Sequence, residues 1–207
     1  MFIKIIMLTF ICLVLNLQVQ GKFLLLMGPS GAGKSTIIRN LKKLDQRFEY
    51  VTPLTTRELR ANEQDKIHVS LAEMYKLEQA GQLLTINNIY GLYYATPKHV
   101  IDDSLAQGKF PILDWPIDKL EIMEKIYGSQ LYKVYIQPDD LAELKRRLLQ
   151  DNRDKDGLRY AAGVLEIEHA GAGKYDQFVD LKLINKKDCD EEIAQYIYTN
   201  FMAALKN

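Results

Sequence analysis

Residues Gly28-Pro29-Ser30-Gly31-Ala32-Gly33-Lys34-Ser35 fit the pattern G-x-x-x-x-G-K-[ST], and each residue type in it has a task at a phosphate. Glycines at 28, 31 and 33 let the backbone turn tightly and approach an anion with no Cβ in the way, so that successive N–H groups point inward. A helix beginning at Lys34-Ser35 adds the partial positive charge of its N-terminus. The Lys34 ammonium can reach the outer phosphates, and the Ser35 hydroxyl can ligate Mg²⁺. Gly28 to Thr36 is therefore the expected cradle for a polyphosphate. The bland alternative is a glycine-rich turn that happens to contain a lysine, and the flanking elements weigh against it.

A second set of residues could complete that chemistry. Asp114 closes the apolar run Phe110–Leu113, where a carboxylate at a strand end can hold the water shell of Mg²⁺ or, alternatively, cap the helix that follows Pro116. Arg57 and Arg60 lie on one polar segment, and planar guanidinium forks at that spacing suit bidentate capture of an acceptor phosphate. Seen alone, they could equally be solvated surface arginines. Tyr93 and Tyr94 could line the same pocket or fill a core edge with a wet hydroxyl. His68, His99 and His169 have no ligand spacing and read as surface or cap residues. Lys145-Arg146-Arg147 reads as a solvated helix end rather than a nucleic-acid contact. Trp115 reads as packing, with a place in the acceptor pocket as the alternative.

These residues need a scaffold, and the apolar pattern supplies one. Phe23 to Met27 is a continuous apolar run ended by Gly-Pro, as in a buried strand, and Ile37, Ile38, Leu41 and Leu44 mark one face of a helix over Ser35–Leu44. Short buried strands are expected at Phe110–Leu113 and Lys133–Ile136. Helices are expected over Leu71–Ala80, Pro97–Gln107, Ile117–Ile126 and Asp139–Leu149. This alternation predicts an α/β fold with a mostly parallel sheet flanked by helices. Val51 to Ala95 reads differently, with β-like pieces at Ile67–Val69 and Leu83–Ile86, as an inserted substrate-binding lobe. Asp151 to Arg159 is charged and reads as a mobile loop.

At 207 residues the chain fits one domain. Twenty-seven basic and 27 acidic side chains cancel, which removes any global field favouring nucleic acid or an anionic membrane. Cys12 and Cys189 make neither a disulfide framework nor a metal cluster. Lys4, the apolar run Ile5–Leu17 and the small residues around Val19-Gln20-Gly21 have the layout of a secretory signal. Residues 1–21 could be such a signal or anchor, a short helix packed on the domain, or the product of an upstream translation start.

Gly28–Ser35, Thr55-Thr56-Arg57 with Arg60 and Glu63, Gly91-Leu92-Tyr93-Tyr94-Ala95-Thr96, Ile112-Leu113-Asp114, and then Arg146/Arg147, Arg159 and Tyr175-Asp176 follow one another as in guanylate kinases. Over residues 22 to about 200 the chain resembles that family. The resemblance implies a P-loop NTPase domain over 22–207, with a nucleoside-monophosphate-binding lobe at 51–96 and a lid at 147–163. It implies ATP and Mg²⁺ as cofactors, and GMP, dGMP or a related nucleoside monophosphate as acceptor. By the same likeness Arg57, Arg60 and Tyr94 hold the acceptor phosphate, with Glu63, Thr96 and Thr85 in the same substrate set. Lys34, Arg57, Arg147 and Arg159 serve the transferring phosphoryl group, and Ser35 and Asp114 serve the metal.

Departures from the family pattern accompany the likeness. The family meets guanine with two carboxylates, and this chain has Thr85 and Pro116 at those positions. Pro53 replaces a serine, and a tyrosine expected after Glu63 is missing from the shortened stretch Asp65-Lys66-Ile67-His68. Ribose 1,5-bisphosphate phosphokinases are similar in this region, sharing a Leu-Met-Gly-Pro-Ser-Gly opening and a Gly-Leu-Tyr-Tyr turn. Guanylate-kinase-like domains also serve as peptide-binding modules, although such modules tend to lack the intact loop seen here. The resemblance points to a small-molecule nucleotide partner, a monomer or homodimer, and no nucleic acid. It places the chain in the cytoplasm, with membrane association or export only through residues 1–21.

Overall fold

The computed structural model describes residues 22–59, 63–89, 91–150, 154 and 156–206. The N-terminal apolar run and Arg60 lie outside the described residues.

A five-stranded sheet forms the centre of the molecule, built from β1 (Phe23–Met27), β2 (Phe48–Tyr50), β7 (Phe110–Asp114), β8 (Leu131–Pro138) and β9 (Leu181–Asn185) in the order β2-β7-β1-β8-β9. Every pairing in it is parallel. β1 is central and buried on both faces, which explains its unbroken apolar run. Leu24 and Leu26 pack with Ile37, Leu41, Ile112, Val134 and Phe201 on one face. Phe23, Leu25 and Met27 pack with Leu113, Trp115, Met123 and Tyr135 on the other. Helices α1 (Lys34–Leu44) and α7 (Asp190–Ala204) cover the first face through Ile37, Leu41, Ile193 and Ile197. Helices α3 (Lys98–Ala106) and α4 (Leu120–Tyr127) cover the second through Ile101, Leu120 and Met123.

The predicted lobe is a separate mixed sheet of β3 (Leu54–Thr55), β4 (Ile67–His68), β5 (Leu83–Ile89) and β6 (Leu92–Pro97), ordered β4-β3-β6-β5. Helix α2 (Leu71–Gln79) seats the fully buried Met74 against Leu54 and Ala95. Its start is set by a capping box, in which Ser70 Oγ accepts from Glu73 N–H and the Glu73 carboxylate accepts from Ser70 N–H.

Several expectations are revised. The helix expected over Ile117–Ile126 begins as a 3₁₀ turn at Ile117–Lys119 before α4. Helix α5 (Leu141–Gln150) starts two residues later than expected, with Asp140 Oδ1 accepting from Glu143 N–H. The expected loop over Asp151–Arg159 is shorter, because helix α6 (Leu158–Gly171) already includes Arg159. The acidic residues that made this stretch look like a solvated loop cap that helix instead. Asp154 accepts from the N–H groups of Arg159 and Tyr160 at 2.8 and 2.9 Å, and Asp156 accepts from Leu158 N–H at 3.2 Å. Among the described residues, no helix is long and apolar enough to cross a membrane.

Candidate active site

The loop after β1 and the end of β7 meet because the two strands are in register, with Leu26 beside Asp114 and Trp115 N–H bonded to Leu26 O at 2.9 Å. Gly28, at φ 134°, lies so close to β8 that a Cβ on it would stand 1.9 Å from Ile136 O. Gly33, at φ 95°, precedes α1, and a Cβ there would meet Asn185 Nδ2 at 2.2 Å. The glycines thus serve close backbone packing as well as approach to an anion. Asn185, fully buried at the end of β9, donates through Nδ2 to Ala32 O and to Asp190 Oδ1, each at 2.9 Å, and so ties the loop to the edge strand.

Gly28→Ala is expected to destabilise the protein by about 3 kcal/mol or more, because the clashing group, the Ile136 carbonyl, is backbone. In thermal unfolding that corresponds to a Tm lower by roughly 10 °C. Gly81→Ala, at φ 68° with no atom within 4 Å of the added Cβ, carries only the left-handed backbone penalty of about 1 kcal/mol. Equal Tm losses for the two would refute the close-approach argument.

Lys34 is 8% exposed. Its ammonium donates to Gly28 O at 2.5 Å and Pro29 O at 3.0 Å, and stands 3.6 Å from Asp114 Oδ1. Asp114 remains 41% exposed, so its carboxylate faces open space rather than closing the site. Two cavities share these residues. One, of about 320 Å³, is lined by Ser30–Thr36, Asp114, Glu143, Arg146, Arg147, Gln150, Lys187, Asp188 and Asp190. The other, of about 690 Å³, runs from Gly28, Ser30, Lys34, Ser35 and Asp114 to the lobe residues Arg57, Glu63, Asn87, Asn88, Tyr94 and Thr96. Both volumes suit a small ligand. Ser30, Lys34, Ser35 and Asp114 form the wall common to the two.

The remaining predicted site residues divide between the cavities. Arg147 lies in the smaller one, where Nε donates to Glu143 Oε1 at 2.6 Å and Nη1 lies 3.4 Å from Gly31 O. The hydrogen bond from Arg146, opposed by a smaller desolvation effect and aided by a lesser hydrogen bond from Arg147, holds the Glu143 carboxyl at about 2, so this clamp stays charged. Arg159 lines the larger cavity with Ala162, Leu165, Glu166 and His169 of α6. Arg57 also lies there, its Nη2 forked onto Glu63 at 2.5 and 2.7 Å. Burial lowers the Arg57 pKa, but hydrogen bonds to Glu63 and Tyr94 more than offset this, so its charge is secure. Thr85 lines neither cavity. Its strand continues to Asn87, which is 9% exposed and does line the larger one.

A family model described as guanylate kinase matches residues 20–195. The chain belongs to the guanylate kinase family. It is 32% identical over 156 residues to the guanylate kinase of Mesorhizobium japonicum, covering 72% of each chain. It is 32% identical over 142 residues to that of Carboxydothermus hydrogenoformans, covering 67% of this chain and 69% of the relative. The crystal structure of guanylate kinase from Anaplasma phagocytophilum shares the fold, with a TM-score of 0.69 at 21% identity over 90% of this chain and 87% of that one.

Within the guanylate kinase frame, the geometry adds residues that the sequence did not single out. Lys187, Asp188 and Asp190 reach the smaller cavity from the turn between β9 and the start of α7, with Asp188 at φ 60°. Asn87, Asn88, Asp118 and Glu166 line the larger one, beside His169 and Tyr175. His169, read from sequence as a surface or cap residue, stands in the last turn of α6 and also lines the cleft, one helical turn beyond Glu166 on the same face. Trp115 is 2% exposed, donates Nε1–H to Lys119 O at 3.0 Å and also lines the cleft, so its two expected roles are met by one side chain.

Proposed function

We propose that this guanylate kinase family member transfers the terminal phosphoryl group of ATP to the phosphate of a nucleoside monophosphate, with the donor in the smaller cavity and the acceptor in the larger. The observation that carries this reading is the shared wall. Lys34, Ser35 and Asp114 face both cavities, so a donor on one side and an acceptor on the other meet at one ammonium and one carboxylate. In-line transfer needs that juxtaposition and little else from the protein, since an acceptor phosphate is already nucleophilic and requires no general base.

The residues present fit Mg²⁺. A hydroxyl at Ser35 and a half-exposed carboxylate at Asp114 are hard oxygen donors facing the phosphate cradle, the sparse ligand set this ion accepts beside phosphate oxygens. When bound, the ion neutralises charge on the phosphates. Gly28–Thr36 would hold the donor phosphates, and Lys34 would turn its ammonium from Gly28 O and Pro29 O toward the transferring group. Arg147 approaches from the donor side and Arg159 from the acceptor side. Arg57, with Tyr94 and Thr96 beside it, holds the acceptor phosphate, exchanging part of its fork on Glu63 for phosphate oxygens. Arg60 belongs to the same assignment by family likeness. An ATP-consuming reaction of this type belongs in the cytoplasm.

The acceptor is best sought among guanine nucleotides, given the family, although no carboxylate stands at Thr85 or Pro116. ATP consumption measured with GMP, dGMP, IMP, AMP, CMP, UMP and ribose 1,5-bisphosphate tests the reading. Turnover with GMP at least about tenfold above the other bases is expected. Turnover with ribose bisphosphate alone would transfer the assignment to the phosphokinase alternative, and no turnover with any acceptor would favour a binding module.

A further inference from the structure

Arg159, Ala162, Glu166 and His169 recur at three- and four-residue spacing along α6 and all line the larger cleft. The adjoining side of the helix is packed at two positions two turns apart. Gly163 lies against Leu144 and Pro29, where a Cβ would stand 2.9 Å from Leu144 Cδ2 and 3.3 Å from Pro29 Cβ. Ala170 is fully buried in the core beneath Trp115 and Tyr135. Glu166 is therefore held toward the cleft by packing around it.

Its Oε1 is buried, and no hydrogen-bond donor among the described residues reaches it. Other carboxylates of the cleft differ, since Glu63 takes the Arg57 fork and Asp114 pairs with Lys34. The Tyr135 hydroxyl donates to the main-chain oxygen of Glu166 at 3.5 Å. Burial, with smaller contributions from Asp118 and Asp114 and against the pull of Lys34 and Tyr135, raises the affinity of Glu166 for its proton. Ionised or neutral, the group keeps an oxygen able to accept. A buried acceptor without a donor disfavours the fold unless something that binds there supplies one. An anionic phosphate cannot fill that role beside a carboxyl group, but the neutral sugar or base of an acceptor can.

We propose that Glu166 is a specificity-determining residue whose Oε1 accepts a hydrogen bond from an O–H or N–H group of the acceptor nucleotide. The proposal rests on the reading of the larger cleft as the acceptor site.

Steady-state kinetics of wild type, Glu166→Ala and Glu166→Gln at saturating ATP, with GMP, 2′-deoxy-GMP and IMP as acceptors, test it. The deoxy acceptor removes a sugar O–H and IMP removes the base amino group, so the two arms distinguish the sources. Wild type is expected to favour GMP over one of the two by about tenfold or more in kcat/KM. In Glu166→Ala that ratio is expected to collapse to within about twofold, with KM for ATP unchanged, while Glu166→Gln, which keeps Oε1, retains most of it. Ratios equally large in wild type and Glu166→Ala would overturn the proposal, even if all rates fall together, as would a wild type indifferent to both changes. Wild-type protein inactive on every monophosphate would instead overturn the reading of the cleft, and the proposal with it.

Discussion

Lys34→Ala is expected to lower kcat by about 10³-fold or more while leaving the protein folded. The ammonium it removes is the one cationic group in the wall shared by the two cavities. It is nearly buried and positioned by two carbonyls of its own loop, so no solvated side chain substitutes for it. The structural cost is small. Asp114, its partner, is 41% exposed and remains hydrated, and the loop stays braced by Asn185 through Ala32 O. Circular dichroism and thermal unfolding should therefore resemble wild type while turnover disappears. A variant retaining near-normal kcat would remove Lys34 from the chemistry, and an unfolded one would show that the ammonium serves the loop instead.

Arg57→Ala is expected to reduce kcat/KM for the acceptor by about 10²-fold or more, with KM for ATP within about twofold of wild type. Arg57 lines only the larger cavity, and truncating it also leaves the Glu63 carboxylate, 12% exposed, without its forked partner. Lys66 stays 3.8 Å from that carboxylate, so the loss comes from the missing charge-assisted bonds of the guanidinium to the phosphate. Arg57→Lys should not restore activity, because an ammonium cannot bridge Glu63 and a phosphate with two parallel bonds. Initial rates over a matrix of both substrates decide the matter. An equal loss on the ATP and acceptor sides would contradict the division of the site into two cavities.

The parts of this arrangement that can be read from sequence are those written contiguously. β1, its loop and α1 occupy residues 23–44 without interruption, and a strand buried on both faces leaves an unbroken apolar run. β7 ends at Asp114 as its pattern predicts. β9 escapes notice because it lies at the sheet edge and alternates half-buried Leu181 and Leu183 with exposed Lys182 and Ile184. α6 is obscure for a related reason. One of its faces looks into a polar cleft, so Arg159, Glu166 and His169 interrupt the apolar spacing that would reveal a helix. Asn185 and Glu166 carry no sequence signal as site residues, since their roles depend on which loop or cavity the fold brings beside them. Thr85 shows the converse limit: family likeness puts it at a recognition position, while it falls where the register of β5 against β6 shifts, and Asn87 and Asn88 line the cleft instead.

The bare Cα of residue 163 lets α6 lie close against Leu144 of α5 and Pro29 of the phosphate loop. Any side chain added there would press α6 away from both, and Arg159 and Glu166, carried on the same helix, would shift with it.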